Sequence, residues 1–146
     1  MKGTSVMTTQ ENKALVRRIF GEIWNQGKLE AVDELFVPEH VGYDNETGPF
    51  HGLEAAKQFF STWLTAFPDA QFHIEDEIAE GDKVVIRWTA RGTHQGHLQG
   101  IAPTSKPITT TGIAILRIAD GKIAESWGNS DTLGVMQQLG VVPSLG

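Results

Sequence analysis

His94 and Asp131 are the side chains whose type and placement could move a proton. His94 closes a predicted strand inside the glycine-rich run Gly92-Thr93-His94-Gln95-Gly96. An imidazole titrates near pH ~6.5, so at a pocket mouth it can donate or accept at neutral pH. The structural alternative is a hydrogen bond to the loop backbone. Asp131 ends a predicted strand and precedes Thr132-Leu133. Its carboxylate either enters a pocket or caps a final helix. Asp44, next to Tyr43, divides in the same way between a pocket mouth and a turn. His97 lies three residues beyond His94, but no third ligand with metal-site spacing accompanies the pair, and no metal is expected.

A second group of residues could hold a flat ligand. Trp24, Phe59, Trp63, Trp88 and Trp127, with Tyr43, are candidate ligand contacts. The alternative for each ring is ordinary core packing. Trp88 has the same strand parity as His94 and is the best of them. Arg87 and Arg91 have the opposite parity, which places them on the convex face of a sheet. Glycine patterns for phosphate or dinucleotide binding are absent, as is a Gly-x-Ser-x-Gly nucleophile turn. The chain has no cysteine, which excludes disulfides, thiolate nucleophiles and iron–sulfur clusters.

Periodicity predicts the elements that carry these groups. Thr8 and Glu11 have capping-box spacing. Leu15, Ile19, Ile23 and Val16, Phe20, Trp24 then make one apolar helical face that ends at Asn25-Gln26-Gly27. Leu29, Val32, Leu35 and Phe36 predict a short second helix stopped by Pro38. Residues 40–51 read as a short strand plus a loop, and a third helix runs from about Leu53 to Phe67. Beyond Pro68 the period is two. Phe72, Ile74 and Ile78 alternate with His73, Glu75 and Glu77, and Val84, Ile86, Trp88 and Ala90 alternate with Val85, Arg87, Thr89 and Arg91. Glu80-Gly81-Asp82 and Asp120-Gly121 are hairpin turns. Ile108 to Ile118 and Lys122 to Asp131 are the other long strands, and Gly96 to Pro107 is a linker crossing one end of the sheet. Leu133, Met136 and Leu139 suggest a last helical turn or two.

Helices first and strands last predict an α+β fold. A strongly curved antiparallel sheet wraps around three N-terminal helices, making a cone with a pocket at its open end. Residues 1–7 read as a flexible leader, with Met7 as an alternative start, and 8–146 as a single domain. The 146 residues carry 12 Lys and Arg against 18 Asp and Glu, a formal net charge of −6, which argues against nucleic-acid binding. No run approaches the ~20 apolar residues of a membrane span and residues 1–7 do not read as a signal peptide, so a cytoplasmic location is expected.

Several segments resemble one family in order and spacing. They are the His94 run with Gly100-Ile101-Ala102-Pro103-Thr104 after it, then Asp120-Gly121-Lys122-Ile123-Ala124-Glu125-Ser126-Trp127, then Asp131-Thr132-Leu133-Gly134 and Gln137-Gln138-Leu139-Gly140. The family is that of the SnoaL-like polyketide cyclases, of the ester cyclase type, in the superfamily named after nuclear transport factor two. The resemblance covers roughly residues 10–140. It implies an α+β barrel, often a dimer or tetramer, that closes a ring by an intramolecular aldol reaction without metal or cofactor. It also implies a carboxylate on the last strand as general acid/base, helped by a histidine on the neighbouring strand. Those positions are Gly128 and Ala114 here. With Ser126 on the same predicted face, they leave that part of the pocket roomy and acid-free.

Two functions are consistent with these residues. One is a cofactor-free enzyme that cyclises, isomerises or hydrolyses a small, largely apolar carbonyl compound, with His94 and Asp131 as its acid/base groups. The other is a non-catalytic small-molecule binding protein that uses the same cone. A third, weaker reading makes the convex sheet an assembly surface.

Overall fold

The first helix, α1 (Thr9–Arg18), opens on a reciprocal cap. Thr8 Oγ1 accepts from Glu11 N at 3.0 Å and Glu11 Oε1 accepts from Thr8 N at 2.8 Å, which satisfies two of the donors a helix start leaves open. The helix then widens into a π-helical stretch, Ile19–Trp24, instead of keeping one period to its end. Asn25 finishes that stretch by clamping a strand: its Oδ1 accepts from Phe72 N at 2.7 Å and its Nδ2 donates to Phe72 O at 3.1 Å. The computed structural model describes residues 7–45 and 47–143. The leader expected over residues 1–7 lies outside the described residues except for Met7, which packs against the main core.

The second helix, α2 (Ala31–Leu35), is shorter than its apolar pattern suggested. Phe36 is already extended (φ −116°, ψ 146°) and begins β1 (Phe36–Asp44). Pro38 therefore stands inside a strand, not at a helix stop. It falls where the register between β1 and its neighbour is irregular, so its missing N–H removes no ladder bond. A short strand, β2 (Gly48–His51), pairs back on β1, and α3 (Leu53–Ala66) comes next.

The remaining strands are β3 (Gln71–Glu80), β4 (Lys83–Thr93), β5 (Pro107–Ala119) and β6 (Lys122–Ser130), with α4 (Thr132–Leu139) at the end. The spatial order is β2-β1-β6-β5-β4-β3. Every neighbouring pair is antiparallel except β1 with β6, which is parallel, so the sheet is mixed rather than purely antiparallel. It also stays open, with β2 and β3 as edges, and does not close into a barrel. The predicted hairpin turn at Asp120-Gly121 is present, with both residues at positive φ (54° and 74°).

Alternation holds along β4, where Val84, Ile86 and Ala90 are buried and Arg87 and Arg91 are exposed. Along β3 it breaks. Ile74 pairs with Trp88 and Asp76 with Arg87, so Glu75 is an extra residue, a β-bulge. Beyond the bulge the faces exchange. Ile78 is 63% exposed, contrary to its expected inward side, while Glu77 turns toward α1 and pairs with Arg17 at 2.8 Å.

Two apolar clusters form. The main one lies between the helices and the inner face of the sheet and includes Val16, Ile23, Val32, Leu35, Ile86 and Ile123. The smaller one gathers Ala66, Phe67, Leu98, Ile108, Val135 and Leu139 beneath the linker after β4. Gly96 makes that packing possible, because any side chain there would collide with the Thr65 carbonyl oxygen. Among the described residues, no helix is long and apolar enough to cross a membrane.

Candidate functional site

Between the helices and the sheet lies a cavity of about 150 Å³, counted as space open to the centres of water-sized molecules. Its helical wall is aromatic. Trp24, delivered by the π-helical stretch, stacks on Phe72 (4.6 Å between ring centres, 27° between planes) and meets Phe60 edge-on at 4.7 Å. Phe59 and Trp63 come from α3, and Phe59 stacks on Phe50 at 5.0 Å.

The sheet supplies the opposite wall. Trp88 lies 5.0 Å from Phe72, with its ring across Gly112, where any side chain would collide with it. Gly42 makes the same allowance for Phe50. The floor between these rings is small. Asp44, Gly128 and Ala114 form one row across three strands, since Asp44 pairs with Gly128 and Gly128 with Ala114. A Cβ added to Gly128 would meet nothing nearer than Asp44 Oδ2, at 4.0 Å.

The polar groups gather where β1 meets β6. His40, only 1% exposed, lies edge-on to Phe36 at 4.7 Å. Its Nε2 is 2.9 Å from Ser126 Oγ, and its Nδ1 is buried with no hydrogen-bond partner among the described residues. Burial pushes its pKa down to about 4, because the charged ring would lose its water. Nearby His51 acts in the same direction and Glu125 opposes. The ring is therefore neutral at physiological pH. A buried N–H without a partner is rarer than a bare lone pair, so the hydrogen is assigned to Nε2. On that assignment His40 donates to Ser126, and the Ser126 hydroxyl keeps its own hydrogen for the cavity. Asp44 closes β1, and its Oδ1 accepts from Thr47 N at 3.3 Å, so it serves the turn and also borders the cavity.

The six aromatic candidates and the pocket positions Ala114, Ser126 and Gly128 all border this space. Two of the aromatics send their rings the other way. Tyr43 alternates with Gly42 and Asp44, and Trp127 with Ser126 and Gly128, so both rings leave from the outer face. There they stack on each other at 5.7 Å and 9°.

The two expected acid/base residues stand elsewhere. His94 is fully buried under the linker, away from the cavity lining. Its Nδ1 accepts from Thr104 N at 3.1 Å, and its ring packs against Phe67 at 5.5 Å. Asp131 caps α4, its Oδ1 accepting from Gly134 N at 2.9 Å, and it is exposed outside the lining. The cap competes with the pocket for the same carboxylate and takes it. His97 is exposed, and Arg87 pairs with Asp76 at 2.6 Å on the outer face.

Sequence reasoning missed His40. Its signal is the two-residue period that places His40, Gly42 and Asp44 on one face. Pro38 masks that signal, because a proline after an apolar helical pattern reads as a helix stop and residues 40–51 then read as mostly loop.

The chain is similar to known proteins in sequence and in fold. The chain is 34% identical over 140 residues to the aklanonic acid methyl ester cyclase DnrD of Streptomyces peucetius, covering 92% of each chain. It is 28% identical over 122 residues to the nogalonic acid methyl ester cyclase of Streptomyces nogalater, covering 80% of this chain and 89% of that one. The structure of TsrD from Streptomyces laurentii superposes with a TM-score of 0.82 at 26% identity, over 93% of this chain and 99% of that one. A Jannaschia sp. CCS1 protein described as SnoaL-like superposes with a TM-score of 0.86 at 24% identity, over 97% of this chain and 100% of that one, a likeness of fold. The model of the SnoaL-like polyketide cyclases matches residues 14–139, which takes in both walls, the floor and the polar end of the cavity, and the chain belongs to that family.

Proposed function

We propose that the protein closes a ring on a small, largely apolar carbonyl compound held in this cavity, by moving a proton without a cofactor. The observation that carries the reading is the Ser126 hydroxyl, held by a buried neutral His40 at the polar end of an aromatic slot. Removing a proton next to a carbonyl puts negative charge on oxygen. A fixed hydroxyl donor in low-dielectric surroundings stabilises that charge more than water would. Neutral His40 can orient the hydroxyl and adds no cation of its own.

The DnrD and Streptomyces nogalater relatives are named for the methyl esters of aklanonic acid and nogalonic acid, and a methyl ester of that kind is the proposed substrate. Trp24, Phe59, Trp63 and Trp88 support a flat ligand held between walls, over the small floor of Ala114 and Gly128.

The test is incubation with aklanonic acid methyl ester, then chromatography and mass spectrometry. An isomer of unchanged mass and new retention is the expected product. Ester that binds tightly and returns unaltered would support the second reading, a binding protein, which is favoured by the side chains missing at Gly128 and Ala114.

Self-association into a dimer or tetramer belongs to the same reading. Tyr43, Ile113 and Ile115 are exposed on the outer face beside Trp127, a patch that a second copy of the chain would cover. A monomer in sedimentation at micromolar concentration would remove this part.

A further inference from the structure

We propose that the Asp44 carboxylate carries the proton in this cavity, reaching from β1 into the space left open by Gly128 on β6. The proposal rests on the ring-closing reading and names the group that reading leaves unassigned.

Asp44 is the one carboxylate among the described residues that line the cavity. It shares the inner face with His40 and Gly42 by strand parity, and its backbone pairs with Gly128. Its Oδ2 lies 4.0 Å from the point a Cβ on residue 128 would occupy, so the carboxylate stands beside an open side-chain position. The hydrogen bond from Thr47 N to Oδ1 fixes its aim.

The other titratable side chains around the space do not serve as the base. His40 donates from Nε2 to Ser126 and its lone pair sits on Nδ1, which is shut away from solvent, the Tyr43 ring leaves from the outer face, and Arg91 carries a fixed positive charge.

The spacing fits the chemistry. Ser126 and Gly128 are two residues apart on one strand, so Asp44 and Ser126 sit about 7 Å apart along it. A carbonyl oxygen and the carbon next to the carbonyl are about 2.4 Å apart. With a hydrogen-bonding approach of about 3 Å at each end, one ketone spans the gap.

The step then balances within one molecule. Asp44 takes the proton from the carbon beside the carbonyl, and the charge moves to the carbonyl oxygen facing Ser126. The enolate carbon forms a C–C bond to a second carbonyl carbon of the same substrate. The new alkoxide takes the proton back from Asp44. No oxidant, reductant or co-reactant enters.

The test uses the full chain and 2-acetonaphthone, a flat aryl methyl ketone, in deuterated buffer. Deuterium entering the methyl group reports proton removal without ring closure, and quenching of tryptophan fluorescence reports affinity. Wild-type protein is expected to exchange the label faster than buffer alone. Asp44→Asn keeps an oxygen for Thr47 and is expected to slow exchange by about 100-fold, with affinity changed less than about threefold. Adding Gly128→Asp to that variant is expected to restore at least about a tenth of the rate, because residue 128 has room for a side chain.

Wild-type exchange no faster than buffer would overturn the assignment. So would full exchange by Asp44→Asn, or a double variant that binds the ketone yet stays inactive. Failure of the ring-closing reading looks different: exchange that depends on Asp44, with aklanonic acid methyl ester left unclosed, removes that reading and keeps this one.

Discussion

His40 and His94 are both buried, at 1% and 0% exposure, and each has one ring nitrogen bonded and the other without a partner among the described residues. They differ in what the bonded nitrogen meets. His94 Nδ1 accepts a main-chain hydrogen from Thr104, and its ring packs against Phe67 of the smaller cluster. That nitrogen also lies 3.1 Å from the Thr104 hydroxyl, which in turn accepts from Lys106 N at 3.3 Å, so its contacts stay within the linker and hold a loop in place. His40 Nε2 meets a side-chain hydroxyl on β6, and a hydroxyl that accepts one hydrogen still has one to give. Burial and residue type are the same in both cases. The place of the partner hydroxyl separates them: Ser126 borders the cavity, and Thr104 lies in the linker outside its lining.

The largest test of that contrast is His94→Ala. The variant leaves the Thr104 amide without its acceptor and opens space beside Phe67. The expected loss is about 3 kcal/mol of unfolding free energy in urea titrations. Turnover per folded molecule should stay within about twofold of wild type. A large fall in turnover with stability intact would reverse the contrast.

Next is the acid sensitivity of His40. Its folded pKa of about 4 lies below the ordinary 6.5, so below pH 6.5 the unfolded chain takes a proton that the folded chain refuses. Stability from this group is present above pH 6.5 and is lost as pH falls toward 4. Between pH 7 and pH 5 the loss is about 2 kcal/mol. His40→Phe fills similar volume without titrating, so its unfolding free energy should fall less over that interval by that amount. Equal slopes would mean that His40 reaches water.

The same substitution removes the donor that orients Ser126. Losing one neutral hydrogen bond of about 1.4 kcal/mol corresponds to about tenfold in the ring-closing rate, with affinity nearly unchanged. A change in affinity with an unchanged rate would make His40 part of the wall and nothing more.

Much of this frame was legible in the chain. Thr8 with Glu11, Asp120-Gly121 and the alternation from Val84 to Ala90 are local signals, and local physics satisfied each of them. Ser126 and Gly128 came out on one face because strand parity needs no tertiary information, and the family resemblance added Ala114 from the neighbouring strand. What escaped depended on distant partners. The β-bulge at Glu75 shows only as a register against β4, and it is what exposed Ile78. β1 exists as a long strand because β6 offers a parallel edge about 85 residues later, which no local pattern near Pro38 reports. With β1 read as a loop, the inward side of His40 could not be assigned, and Asp44 stayed divided between turn and pocket.

Asp131 carries the smallest expected effect and sharpens the contrast from the carboxylate side. Two aspartates stand at the ends of the same parallel strand pair, and each accepts a hydrogen from a backbone N–H three residues on: Thr47 for Asp44, and Gly134 for Asp131. One borders the cavity and the other is exposed at the start of α4. Asp131→Ala should cost about 1 kcal/mol of stability, the usual worth of an N-cap, and leave ketone exchange and turnover at wild-type levels. Because α4 contributes Val135 and Leu139 to the cluster beneath the linker, the loss should appear as earlier melting of that cluster, read by hydrogen exchange at those residues. If Asp131→Ala instead abolished proton exchange while α4 stayed protected, the exposed carboxylate would be the working one, and the assignment to Asp44 would have to be exchanged with it.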